Sequence, residues 1–265
     1  MIDTEALVLS ARDGAVLTLT LNRPEARNAL SDALIHDIQR ALDQAAKDST
    51  LRVIILAATG PAFCAGHDLK ELTGHRKEYD KGANRFRATF CECSTMMKTI
   101  VNHPVPVIAQ VQGTATAAGC QLVATCDLAV ASTEAKFATP GVNIGLFCST
   151  PMVALSRNIA PKHAMEMLLT GDMVDAKHAK EIGLVNRVVA PEKLAAETMA
   201  LARQIASKPH TTVKIGKQAF YRQLEMKLSD AYDYASEVMT RNMMDAEACE
   251  GIGAFVEKRD AKWPS

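Results

Sequence analysis

Residues 52–58 read RVIILAA, an almost unbroken apolar run. A strand of that composition has no face to give to water, so it must be covered on both sides, as strands are in α/β folds. The preceding residues supply its partners. Residues 15–21 (AVLTLTL) alternate apolar side chains with threonine, as a half-buried strand does, and Asn22-Arg23-Pro24-Glu25 breaks the pattern. Ser31 is placed to cap a helix whose Leu34, Ile35, Ile38, Ala41, Leu42 and Ala45 fall on one face. Strand, helix and strand at this spacing predict a right-handed crossover.

The pattern recurs. Residues 79–101 predict a long helix, stopped at His103-Pro104, and 107–111 (VIAQV) a short buried strand. A run of small residues, 114–119, leads into another apolar helix. Residues 127–131 (DLAVA) and 136–139 follow as strands. Beyond about residue 150 the chain turns helical, over 152–159, 162–169 and 176–182, with a strand at 185–189. Helices then cover 192–207, 211–223, 229–245 and 249–258. This divides the chain into an α/β core over 1–200 and a helical region over 201–265.

Composition removes several functions. The 30 basic and 30 acidic side chains cancel, so no basic surplus invites a nucleic-acid backbone. Aromatic residues are 5%, too few for base-stacking platforms. No stretch reaches the ~18 apolar residues of a membrane span. Residues 1–10 (MIDTEALVLS) carry two acids and no Arg or Lys, unlike a secretory or transit leader. The seven cysteines are scattered, and the lone pair Cys91-x-Cys93 lacks the further ligands of a zinc site. These features lead to the expectation of a cytoplasmic protein without a bound metal.

Two segments have the composition of a backbone that touches a ligand. Residues 63–70 (FCAGHDLK) and 112–121 (QGTATAAGCQ) each follow a buried strand. Open α/β sheets bind ligands beyond the carboxyl ends of their strands. If both segments lead into helices, N–H groups at the helix starts can converge on one anionic oxygen. Tight packing of helix on strand accounts for the same small residues, and spacing alone does not choose between the two.

The blocks NRPEARNALS, GPAFCAGHDLKEL, VQGTATAAGCQLVATCDLAVAS, FATPGVNIGL, LLTGDMVDAKHAKEIGLVNRVV and EGIGAFVEKR, in that order over nearly the whole chain, resemble the crotonase (enoyl-CoA hydratase/isomerase) superfamily. Within it, GHDLKEL, ATAAGCQL and ATPGVNIGLFCSTP resemble the enoyl-CoA hydratase domain-containing protein 3 subgroup. The resemblance implies a spiral of ββα units, a C-terminal helical trimerisation region, and a homotrimer or a hexamer made of two trimers. It implies an acyl-CoA thioester as ligand, with coenzyme A arriving as part of the substrate and no separate cofactor. His67 and Ala118 match the positions whose backbone N–H groups hold the thioester oxygen. His67, Asp68, Leu69 and Lys70 match the strip that binds CoA. Phe255 and Lys258 match a segment that reaches the CoA of a neighbouring subunit.

The resemblance also marks two departures. Hydratases of the superfamily use a pair of glutamates, and the matching positions here are Gln121 and Gly141. Neither can carry a proton, and general acid–base catalysis is commonly worth ~10²–10⁴-fold. A thioester enolate therefore has its oxyanion donors here but not its usual acid and base. The readings that follow are a hydratase or isomerase by family, a different thioester reaction such as hydrolysis or decarboxylation, and a non-catalytic acyl-CoA-binding protein. Cys148 and Ser149 lie near the second vacated position; a cysteine there is either a nucleophile or an inert buried side chain. The His67 imidazole either takes part or only packs beside the CoA. Asp127 is read as a structural acceptor.

Overall fold

A computed structural model describes residues 6–263. Its main sheet has six strands in the order β1 (Val8–Asp13), β2 (Val16–Leu21), β3 (Val53–Ala58), β5 (Val107–Val111), β7 (Leu128–Ser132), β10 (Arg187–Val189). A second sheet orders β4 (Ala62–Cys64), β6 (Thr114–Thr116), β8 (Lys136–Ala138) and β9 (Val174–Asp175). Successive strands alternate between the sheets, so each turn of chain adds β3 then β4, β5 then β6, β7 then β8. That is the ββα spiral expected from the resemblance. β2 through β10 run parallel in the main sheet, while the β1–β2 hairpin is antiparallel.

The helices follow from capping and apolar spacing. α1 (Asp32–Ala45) is capped by Ser31, whose hydroxyl accepts from Leu34 N–H at 3.2 Å. It buries Leu34, Ile35, Ile38 and Leu42. α2 (Leu69–Gly74), α3 (Ala83–Asn102) and α4 (Ala118–Thr125) follow the second-sheet strands or their loops, then α5 (Pro151–Asn158), α6 (Pro161–Thr170) and α7 (Ala176–Glu181). One large cluster centred on Phe63, Phe137 and the residues of α1 and α4 fills the space beneath the sheets. α8 (Leu194–Ala206) covers the other face, packing Leu194, Leu201 and Ala202 on Val53, Ile55 and Ile108. Both faces of β3 are therefore covered, as RVIILAA demanded. The division drawn at residue 200 falls inside α8, which belongs to the sheet.

α9 (His210–Gln223), α10 (Leu228–Met243) and α11 (Ala246–Glu257) complete the chain. α9 is fastened by a buried charge pair. Lys217 Nζ donates to Asp127 Oδ2 at 2.7 Å and to the carbonyls of Ile100 and Val105 at 3.0 and 3.1 Å. Tyr221 OH and Val107 N–H also donate to Asp127. With four donors on its carboxylate, counting the lysine's charge as one, Asp127 is the structural acceptor expected; a buried charge is tolerated only with such satisfaction. Beyond this anchor the helices expose Phe220, Leu228, Tyr232, Met239, Met244, Phe255 and Val256.

Candidate functional site

The second sheet builds the site, because the carboxyl ends of β4, β6 and β8 lie side by side. β6 pairs with β4 and with β8, Thr116 opposite Ala138. Thr116 Oγ1 donates to Ala65 O at 3.1 Å, and Ala117 N–H donates to Ala138 O at 2.9 Å. Residues 65–67, 116–118 and 138–139 are thus joined at the end of the sheet where open α/β folds take their ligands.

The close approach has a backbone cause. Gly66 has φ +93°, and a Cβ there would lie 2.9 Å from Ala117 Cβ and 3.4 Å from Ala118 N. Only glycine fits both the angle and the space. Gly119 likewise lets α4 touch β4: a Cβ on it would stand 2.0 Å from Cys64 O. Between them Ala117 adopts φ 50°, ψ −118°, a region that disfavours a side chain. That turn starts α4 at Ala118, whose N–H has no intrahelical acceptor. On the facing loop, Leu30 N–H donates to Gly66 O and Asp68 N–H donates to Leu30 O. The bridge uses the groups on either side of His67 and, among the described residues, leaves its N–H without a backbone acceptor.

The His67 ring stands edge-on to Phe90, centroids 5.2 Å apart. Both ring nitrogens are buried and meet no hydrogen-bond partner. Burial pushes the imidazole pKa below its ordinary value, while the Asp32 carboxylate and the Leu30 backbone pull the other way. Asp32 is held by Arg85 and by Thr89 Oγ1. Asp32, Glu71 and His75 bring ligand atoms within 4.8 Å of one another, a grouping that could hold a cation. Each is already engaged: Glu71 accepts from Asp32 N–H at 3.4 Å, and His75 meets Glu78 at 2.6 Å. Burial, opposed by that N–H and reinforced by the neighbouring carboxylates of Asp32 and Asp68, raises the Glu71 pKa.

Asp68 is the N-cap of α2, accepting from Lys70 and Glu71 N–H and from Arg23 at 2.7 Å. Partial burial raises its pKa, but Arg23 and the two N–H groups outweigh that and hold it below the usual range. Its carboxylate thus fixes the strip rather than standing free in it. Leu69 and Lys70 are exposed. Phe255 and Lys258, at the end of α11, are exposed as well; α11 packs on α9 and α10, and no contact joins them to the strand-end loops of the same chain.

Gln121 is one turn into α4, on the face of Ala118. It is 4% exposed and its Oε1 has no partner. Gly141 follows β8, and a Cβ on it would lie 2.1 Å from Leu146 O and 2.9 Å from Cys148 Sγ. The loop carrying Cys148 therefore occupies the place where a side chain at 141 would begin. Burial raises the Cys148 thiol pKa, opposed by the Gly141 backbone, which leaves a thiol rather than a ready nucleophile. Ser149 is exposed. Cys64 and Cys120 are fully enclosed, pushed by burial up to about 12. Sequence reasoning did not single out Thr139, fully buried with an unpartnered hydroxyl. Nor did it single out Phe90 or the strained Ala117. Two surface clefts, ≈ 390 Å³ beside Thr95 and His103 and ≈ 290 Å³ beside His163 and His178, lie elsewhere. They involve none of these groups.

Fold and strand-end geometry agree with comparison to known proteins. The chain belongs to the enoyl-CoA hydratase/isomerase family, whose profile matches residues 11–265. It is 47% identical over 263 residues to human "Enoyl-CoA hydratase domain-containing protein 3, mitochondrial", covering 98% of this chain and 85% of the relative. The rat counterpart is 46% identical, over 97% of this chain and 84% of its own length. Among solved structures, an enoyl-CoA hydratase of Mycobacterium smegmatis superposes with a TM-score of 0.93 at 52% identity, covering 98% and 99% of the two chains. The human domain-containing protein 3 superposes with a TM-score of 0.92 at 45% identity, covering 97% of this chain and all of its own. These relatives correct one expectation. The human and rat proteins are named as mitochondrial, so the cytoplasmic assignment does not stand. It rested on the composition of residues 1–10, of which 1–5 lie outside the described residues, and a leader pattern alone does not fix a compartment. Among the described residues no helix is long and apolar enough to cross a membrane.

Proposed function

We propose that this chain binds an acyl-CoA thioester with the carbonyl oxygen between the N–H groups of His67 and Ala118, and that it stabilises the enolate form of that thioester. The observation that carries the reading is the approach of Gly66 to Ala117 and Ala118, which places two unclaimed donors on adjoining strand ends. A donor of this kind is worth ~3–4 kcal/mol to a developing oxyanion, and the start of α4 adds its dipole. Asp68 fixes the strip 67–70, leaving Leu69 and Lys70 to face the CoA. The exposed apolar faces of α9–α11 support assembly into a homotrimer or hexamer, in which Phe255 and Lys258 serve a neighbouring subunit's CoA. Coenzyme A enters with the substrate, and the reading needs neither a further cofactor nor a metal.

Hydration by the usual glutamate pair is not part of this reading. Gln121 supplies a hydrogen-bonding group without a titrating proton, and the Leu146–Cys148 backbone fills the space beside Gly141. That filling favours, as a second reading, a protein that binds acyl-CoA without turning it over. The test compares acetyl-CoA with S-ethyl-CoA, which lacks the carbonyl oxygen. Calorimetry is expected to show acetyl-CoA binding at least about tenfold tighter, the worth of one or two net hydrogen bonds. Equal affinities would remove the oxyanion role of the two amides.

A further inference from the structure

The strand-end site carries an unusual set of buried polar side chains. His67 Nδ1 and Nε2, Gln121 Oε1 and Thr139 Oγ1 are all buried without a protein partner. Gln121 and Thr139 are 4% and 0% exposed. Buried polar groups in native proteins are satisfied in the great majority, so a concentration of exceptions calls for a cause. These three residues sit on the three segments that meet at the ends of β4, β6 and β8. His67 follows Gly66, Gln121 is one helical turn beyond Ala118, and Thr139 follows Ala138, whose carbonyl accepts from Ala117.

We propose that this site selects acyl-CoA thioesters whose acyl group carries a neutral hydroxyl, and that His67, Gln121 and Thr139 read that hydroxyl with their side chains. The inference rests on the acyl-CoA reading above and adds the acyl group to it. A plain alkyl or alkenyl chain would leave the three residues desolvated and unpaired. A site built to hydrogen-bond a hydroxyl rejects the analogue that lacks it far more strongly than an apolar pocket rejects a polar isostere. The amide oxygen of Gln121 only accepts, so the matching ligand group must donate; this points to a hydroxyl rather than a ketone. Thr139 and the neutral imidazole can each donate or accept and complete the set. A carboxylate on the acyl chain does not fit. Asp32 lies near the His67 ring with Glu71 and Asp68 beside it. The guanidinium groups of this cluster, Arg85 and Arg23, are engaged by Asp32 and Asp68.

The experiment measures calorimetric affinities of 3-hydroxybutyryl-CoA, butyryl-CoA and succinyl-CoA for the full chain and for His67→Phe and Thr139→Val. Both variants keep the backbone N–H groups, and the second is close to isosteric, so it serves should the first fail to fold. The wild type is expected to bind 3-hydroxybutyryl-CoA at least about tenfold more tightly than either other ester. Each folded variant is expected to shrink that ratio. Equal affinities for the hydroxylated and plain esters, or a ratio that both variants leave intact, would overturn the inference. If acetyl-CoA still binds more tightly than S-ethyl-CoA, that failure stops there. If no CoA ester binds, the acyl-CoA reading falls and this inference with it.

Discussion

Gln121 and Gly141 stand at the two positions where relatives with hydratase chemistry place glutamates, yet the chain has lost the two acids in different ways. At 121 the change is chemical: a side chain of nearly the same shape remains, buried on α4, with its amide oxygen unpartnered. At 141 the change is architectural. The loop from Leu146 to Cys148 has moved into the volume a side chain would need, and its Leu146 carbonyl already accepts from no more distant a place than the hydrogen bond that joins Leu146 N–H to Gly141 O at 2.9 Å permits. A lost proton carrier can be restored at the first position by one atom's exchange. At the second it cannot be restored without moving backbone.

The largest effect should therefore come from Gly141→Glu. Its Cβ meets a backbone oxygen, not a flexible side-chain end, so the variant is expected to lose about 3 kcal/mol or more of stability. Denaturant titration measures the loss; a variant as stable as wild type would mean the loop yields easily and the contrast is false. Gln121→Glu should fold, at a smaller cost of ~1–3 kcal/mol for a carboxyl buried without a partner. Its hydration of crotonyl-CoA, followed by loss of the enoyl absorbance, should gain less than the ~10²-fold one positioned acid–base group can supply. A larger gain would show that the second acid is dispensable.

Glu247 shows where the fold does retain a carboxylate. It accepts from Thr211 and Thr212 N–H at the start of α9, at 3.1 and 3.0 Å. Partial burial raises its pKa, but these donors outweigh burial and leave it lowered. A carboxyl with a depressed folded pKa contributes stability above its unfolded value, near ~4.3, and loses it as pH falls through the folded value. Glu247→Gln should thus cost ~1–2 kcal/mol at neutral pH. Thermal melts taken at falling pH should show the gap to wild type closing below about pH 4. A gap independent of pH would assign the cost to packing. The smallest effect is a gain: Ala117→Gly relieves a backbone conformation that costs a side chain ~1 kcal/mol or more, offset by the freedom glycine adds to the unfolded chain. A slightly raised melting temperature is expected, and a clear fall would mean that the methyl packing matters more than the strain.

Long apolar and amphipathic elements were legible in the sequence because burial imposes a period. RVIILAA became β3, Ser31 capped α1, and the C-terminal helices fell within a few residues of their places. β4, β6 and β9 were not legible, since strands of two or three residues are too short to show a period. Yet β4 and β6 carry the site. The sequence pointed to His67 and Ala118 through neighbouring small residues and family motifs. What makes those loops meet, the φ of Gly66 and the turn at Ala117, is a property of coordinates. Thr139 was passed over because a threonine before a proline reads as a strand end. Nothing in the sequence around Gly141 showed that a later loop would fold back onto it.

The most direct test watches the two amides themselves. In protein isotope-labelled at its backbone nitrogens, the N–H signals of His67 and Ala118 can be followed by magnetic resonance while acetyl-CoA is added. Both should move downfield together as a carbonyl oxygen enters between them, and neither should do so with S-ethyl-CoA. Saturating acetyl-CoA that shifts other amides and leaves these two in place would contradict the account.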